Sequence, residues 1–376
     1  MIKKTAIGII KTLILNLFAR SSKTTGPILY IILLGMSVNS CNSKNEKAND
    51  ADSEEVYSHN WIMPNVEGGG CIPVWGHYDG IRIGLPPTGG PRGLLRVYAP
   101  YLNLSTDSLK MINFIALDPI VSGSDSRGIS ELEPSALDNV RGERFWSANE
   151  PDAIEPRSIQ DCATGVIEQI NGRETLTLYV HSEEFDSGAK VYVRVRFYED
   201  RPYEIELTSY AAEKSAPLDN FILTATMGNF ARLRNLYLKG GIKSSWKLWP
   251  DYTDSNFTPH DHTPESNMLE DKDGSVYFVA APDEEDPTAV TYSLDTKEHW
   301  KYKGQKATQY WKKPNPNSNL NGLVNGRYAY WASESPIPGG ISYENFEMKE
   351  PFENGSMFYF GVSPLDPETF IGSIEK

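Results

Sequence analysis

Apolar and polar side chains alternate with a period of two through the middle of the chain, the signature of strands with one face on a core and the other in water. Val166-Ile167-Glu168-Gln169-Ile170 and Thr175-Leu176-Thr177-Leu178-Tyr179-Val180 flank Asn171-Gly172, a pair suited to the positive φ angles of a two-residue hairpin turn. Lys190 to Glu199 alternates again, and Asp200-Arg201-Pro202 turns it into Tyr203 to Tyr210. Further strands are predicted at Leu94 to Tyr98, Ile112 to Leu117, Phe221 to Met227, Ser275 to Ala281, Ala289 to Leu294, Arg327 to Trp331 and Met357 to Val362, joined by Pro- and Gly-rich segments. Only Glu131 to Val140 reads as a short helix. No repeat of fixed length supports a propeller or solenoid. The expected fold is all-β: an antiparallel β-sandwich with few short helices, or the same with a small β subdomain at one end.

The N-terminus has a different pattern. Residues 1–40 contain Lys3, Lys4, Lys11, Arg20 and Lys23 and no acid, and Gly26 to Met36 is an apolar run of the length of a signal h-region, short of a membrane span. Val38-Asn39-Ser40-Cys41 resembles the lipobox of bacterial lipoproteins, with Asn39 where a small residue is usual. The resemblance implies cleavage before Cys41, lipidation there, and attachment to the outer membrane, on its surface or periplasmic face. Residues 42–55 are polar and too poor in apolar groups to bury anything, so 41–56 is a tether and 57–376 the folded part. An acidic tract behind the lipidated Cys resembles exported lipoproteins of Bacteroidetes.

Without the leader's five cations the chain holds 31 basic and 50 acidic residues, a net of −19, which argues against nucleic acid as a partner. The membrane is then met through the lipid alone. Once Cys41 is spent, Cys71 and Cys162 remain, either as one disulfide or as two buried thiols; 91 residues apart, they form no compact zinc knuckle.

The run from Gly165 to Leu238, with Arg194-Val195-Arg196-Phe197-Tyr198-Glu199-Asp200-Arg201-Pro202 leading into Phe221 to Asn229, resembles the β-supersandwich of galactose-mutarotase-like proteins. That resemblance implies a carbohydrate ligand and neighbours among the polysaccharide-utilisation proteins, and it carries no catalytic residue with it.

Aromatic residues make up 11% of the chain, and Trp75, Trp146, Trp249, Trp300 and Trp311 have charged or turn-forming neighbours, the setting in which an indole stacks on a sugar ring. Three ionisable clusters accompany them. In Pro259 to Glu265, an extended backbone puts His260 and His262 on one side, to share a metal or relay a proton, and the segment reads better as a site wall than as a metal site. Glu131, Glu133, Asp138, Arg141, Glu143 and Arg144 precede Phe145-Trp146; paired carboxylates serve glycoside hydrolysis, and an Arg beside an aromatic can hold a uronate. Trp75 to Gly80, with His77, and the Gly-rich loop around Arg92 form the third cluster. His260, His262, His77, Glu133 and Arg141 are the candidates for polar catalytic roles, with Trp146, Trp249, Trp311, Trp75 and Arg92 for binding. No phosphate loop, dinucleotide fingerprint, nucleophile elbow or zincin motif occurs, so neither a cofactor nor a metal is expected. The expected function is binding and processing of a polysaccharide or oligosaccharide, as hydrolase or lyase. The alternatives are a non-catalytic capture lipoprotein and a structural envelope protein.

Overall fold

A computed structural model describes residues 60–65, 71–88, 90–99, 110–153, 161–228, 231–283, 291–292, 294, 296, 307–330 and 335–375. The signal segment, Cys41, the tether, Trp300 and half of the Ala289–Leu294 strand lie outside them.

In chain order the first strands are β1 (Trp61–Ile62), β2 (Val74–His77), β3 (Arg82–Gly84), β4 (Leu95–Ala99), β5 (Lys110–Val121), β6 (Phe145–Ala148), β7 (Val166–Ile170), β8 (Arg173–Ser182), β9 (Val191–Tyr198) and β10 (Glu204–Ala211). Then come β11 (Leu218–Thr226), β12 (Leu233–Leu238), β13 (Gly241–Ser244), β14 (Asp261–Pro264), β15 (Leu269–Glu270), β16 (Val276–Pro282), β17 (Thr308–Lys313), β18 (Asn321–Arg327), β19 (Ser342–Pro351) and β20 (Ser356–Ser363). Two helices, α1 (Ser245–Leu248) and α2 (Pro367–Ile374), complete the set.

The strands form two antiparallel sheets. The first runs β1-β2-β3-β4-β5-β11-β19-β18-β14; the second runs β13-β12-β16-β17-β20-β10-β9-β8-β6, with β15 and β7 paired to β16 and β8. Alternation decides what goes between them. Leu95, Val97, Ile115, Leu117, Leu223 and Phe346 of the first sheet meet Leu176, Val193, Val195, Leu207, Phe278 and Phe360 of the second in one apolar core. The Asn171-Gly172 turn has φ angles of 52° and 76°, and it sets the register of β7 on β8. On the outer face of the second sheet, Phe370 and Ile374 of α2 cover Tyr277, Val279 and Tyr310. Asp366 caps that helix by accepting from the Thr369 N–H at 2.9 Å, and Pro367 opens its first turn.

Two expectations need correction. Glu131 to Val140 is no helix: Pro134 bridges Arg141, Ser135 N–H donates to the Val140 carbonyl, and the segment is an irregular excursion between β5 and β6. Of Arg327 to Trp331, residues 328–330 form no strand either, because β18 ends at Arg327, and Trp331 lies outside the described residues. Among the described residues no helix is long and apolar enough to cross a membrane.

Candidate functional site

The outer face of the first sheet is unusually polar for a buried surface. On β5, β11 and β19, the residues that alternate with the core-facing ones are Asp118, Thr224 and Glu347, all with 2% exposure or less. Arg127, from the excursion after β5, lies over them. Its Nη1 and Nη2 donate to the two oxygens of Glu347 at 2.8 and 3.1 Å, and Nη2 stands 3.2 Å from Asp118 Oδ2. Thr224 Oγ1 donates to Asp118 at 2.7 Å. His260 Nε2 lies 3.3 Å from Glu347 Oε1 and 3.3 Å from Asn325 Nδ2.

Their charges follow from this geometry. Glu347 is held below the usual carboxylate range because Arg127 and His260 outweigh its burial. Asp118 has a smaller share of the same guanidinium, so burial wins and pushes it up to about 6. Arg127 is held firmly protonated between the two. With Glu347 ionised, His260 is best placed as the donor from Nε2.

In front of this network opens a cavity of about 200 Å³ lined by Pro91, Arg92, Glu131, Leu132, Arg141, Thr226, Met227, Phe257 and Glu344. Two of its walls are carboxyl groups. Glu344, on β19, is 1% exposed, and its Oε2 finds no hydrogen-bond partner among the described residues. Burial pushes it up to about 8 against a modest pull from Arg327. Glu131 is half-buried; burial and Asp118 push it up to about 7, against Arg141 and Arg127. Glu344 therefore retains its proton near neutrality, while Glu131 exchanges one there. Opposite them, the Phe257 ring is 40% exposed and carries the Arg327 guanidinium 5.1 Å from its centroid.

Backbone crossings build the rim. Arg96 is fully buried on β4, and its guanidinium donates to the carbonyls of Thr88, Gly90, Pro91 and Leu94, fixing the loop that presents Pro91 and Arg92. Gly93, at φ 70°, passes so close to Ser130 that a Cβ would lie 1.8 Å from its carbonyl oxygen. Ser130 Oγ in turn donates to the Gly93 carbonyl at 2.7 Å, tying this loop to the one carrying Glu131.

A second cavity, of about 270 Å³, lies across Arg92 and is lined by Arg92, Asp138, Glu143, Arg144, Trp146 and Asp161 among others. Arg92 Nη1 donates to both oxygens of Asp138 at 2.9 Å, while its Nη2 is buried without a hydrogen-bond partner among the described residues. Glu143 is 1% exposed, and burial together with the adjacent Glu183 raises it strongly.

The residues singled out in the sequence fall into three groups. Arg141 and Arg92 line the first cavity, and His260 stands behind it. Trp146 lines the second, with its indole N–H on the Ala153 carbonyl. His262 is exposed on β14, level with Leu323 and Glu347 on the outer face, away from either lining. The remaining residues are tied into the framework. Trp75 and Trp311 are 0% exposed and donate to the Ala163 and Phe346 carbonyls, so no indole face is left for a ligand. Trp249 packs edge-on against Tyr343, partly buried beside the core. His77 is 3% exposed, bonded through Nε2 to the Tyr198 carbonyl and tilted against Trp61. Glu133 spends both oxygens on the N–H groups of Ile129 and Asp186. Cys71 and Cys162 are joined as a disulfide, with Cα atoms 6.3 Å apart. Glu344, Glu347, Asp118 and Arg127 were not among the sequence candidates.

The fold and site thus define an antiparallel β-sandwich with an acid-lined pocket on one outer sheet face. Compared with known proteins, the chain matches no family model, and neither the curated proteins nor the solved structures yield a match.

Proposed function

We propose that this protein is an exported, Cys41-anchored lipoprotein that binds and cleaves a carbohydrate in the pocket between Glu131 and Glu344. One observation carries the reading: two carboxyl groups from distant parts of the chain, one raised to about 7 and the other to about 8 by their surroundings, face a single small pocket beside an exposed ring. The galactose-mutarotase-like sequence pattern and the lipobox-like N-terminus support carbohydrate and export respectively.

Hydrolysis suits these groups better than elimination. Glu344, the more buried acid, donates its proton to the leaving glycosidic oxygen. Glu131, nearer Arg141 and Arg127, works in its ionised form and takes a proton from the attacking water. Phe257 offers a flat apolar face to a sugar ring, and Arg141 a donor to its hydroxyl or carboxylate. The Arg127 network keeps Glu347 ionised behind the pocket.

The test is incubation of the purified protein with plant, algal and host polysaccharides, recording retention and release of products. Product release that disappears in Glu344→Gln and Glu131→Gln, and survives in His262→Ala, supports cleavage in this pocket. Retention without products in any case means a capture protein. Neither retention nor release, with folding verified, overturns the carbohydrate reading.

A further inference from the structure

The two cavities meet at Arg92, which lines both. Neither is large enough alone for an ordinary ligand site, for which about 300 Å³ is a lower bound, whereas together they reach about 470 Å³. Two buried polar atoms in their walls lack hydrogen-bond partners among the described residues: Glu344 Oε2 in the first cavity and Nη2 of Arg92 between the two. A buried polar group left unsatisfied costs roughly 1–3 kcal/mol, so two around one opening mark a surface completed by something else.

We infer that the cavities on either side of Arg92 are consecutive subsites of one cleft, and that the ligand is an oligosaccharide segment of at least two sugar units bridging over that arginine. The inference rests on the carbohydrate reading above and adds the length of the substrate. Arg92 is suited to the junction: Asp138 occupies Nη1 and fixes the guanidinium plane, leaving Nη2 as a pre-oriented donor to an oxygen of the bridging unit. In the second subsite burial and a hydrogen bond shared with Glu183 hold Glu143 protonated, so that this wall presents no full carboxylate charge to a sugar. Arg144 and the edge of Trp146 complete that wall.

The experiment is calorimetric titration of the purified protein with cello-, xylo-, manno- and galacturono-oligosaccharides of one to four units, in a Glu131→Gln background that keeps bonds intact. In the series that binds, affinity is expected to rise tenfold or more from one unit to two or three. Arg144→Ala, which alters the second cavity alone, should flatten that rise while monosaccharide affinity stays within about twofold. Arg92→Ala should lower both, and Glu143→Gln serves as the isosteric control against a folding defect. Affinity that is flat with length, or a rise untouched by both Arg144→Ala and Arg92→Ala, overturns the two-subsite inference and leaves the carbohydrate reading standing. No binding by any member of the four series overturns both together.

Discussion

Glu344→Gln is the perturbation that separates the chemistry of the pocket from its stability. A carboxyl whose ordinary value is 4.5 and which folding raises to about 8 holds a proton in the folded state that the unfolded chain releases between those values. The sign follows: the folded state binds more protons, so the stabilisation is complete below pH 4.5, shrinks as pH climbs, and is gone above pH 8. At about 1.4 kcal/mol per unit, the loss over that window approaches 5 kcal/mol, an upper figure because relaxation and water entry reduce the cost of a buried charge. Glutamine has the same shape and no proton to lose.

Urea unfolding of both proteins from pH 5 to pH 9 measures this directly. The difference in unfolding free energy should grow in favour of Glu344→Gln by several kcal/mol across the range, whatever the offset at pH 5 caused by the new amide N–H group. Product release should fall at least a hundredfold in the same variant. Parallel pH curves for the two proteins would refute the argument, because they would mean that Glu344 ionises without cost and has no reason to hold a proton for catalysis. A gain in alkaline stability together with lost activity is the expected trade at a site kept for function.

Other consequences can be checked by unfolding and binding measurements. Arg96→Met removes four guanidinium-to-carbonyl bonds and should cost about 3 kcal/mol or more and weaken sugar binding through displacement of Pro91 and Arg92; unchanged affinity would show that the loop holds itself. Two glycine substitutions should diverge: Gly93→Ala meets the Ser130 carbonyl at 1.8 Å and should lose several kcal/mol, whereas Gly172→Ala, with nothing within 4 Å, should lose about 1 kcal/mol from its positive φ alone. Opening the Cys71–Cys162 bridge by Cys→Ser at both positions releases a 91-residue separation and should cost up to about 4.6 kcal/mol, read as a fall in Tm under non-reducing conditions.

What was legible in the sequence, and what was not, follows from where the polar groups lie. The strands β7 and β9 stood out because each has water or a partly open face on one side, and β8 and β10 because Thr, Glu and Ser alternate with apolar residues even where both faces are buried. β19 hid for the opposite reason. Eight of its ten residues from Ser342 to Pro351, all but Lys349 and Pro351, are buried and include Glu344, Asn345, Glu347 and Glu350, so polarity there no longer signals exposure. β18 contains Gly322, whose missing Cβ leaves room for the Phe278 ring at 2.6 Å, and Gly326 against Ile341; two glycines in seven residues read as a turn. The charged run from Glu131 to Arg144 imitated a helix through its acid and base spacing, yet Glu133 and Asp138 accept from the Ile129 and Val140 N–H groups of the excursion's own backbone.

The same logic explains the site. Glu133 and Glu131 are indistinguishable by type and stand two residues apart, but one has both oxygens bonded to backbone N–H groups and the other faces a cavity. Glu344 has no cation beside it in sequence, and what makes it chemically distinctive is a missing partner, which no spacing rule reveals. Trp311 misled in the complementary way: charged neighbours along a strand belong to its other face, so it sits in the core because of the alternation that placed Lys312 beside it. In a sandwich whose outer sheet face is itself buried under a long excursion, functional residues are found by asking which buried polar atoms in a cavity wall the fold leaves unsatisfied, and that question selects Glu344 and Arg92 together.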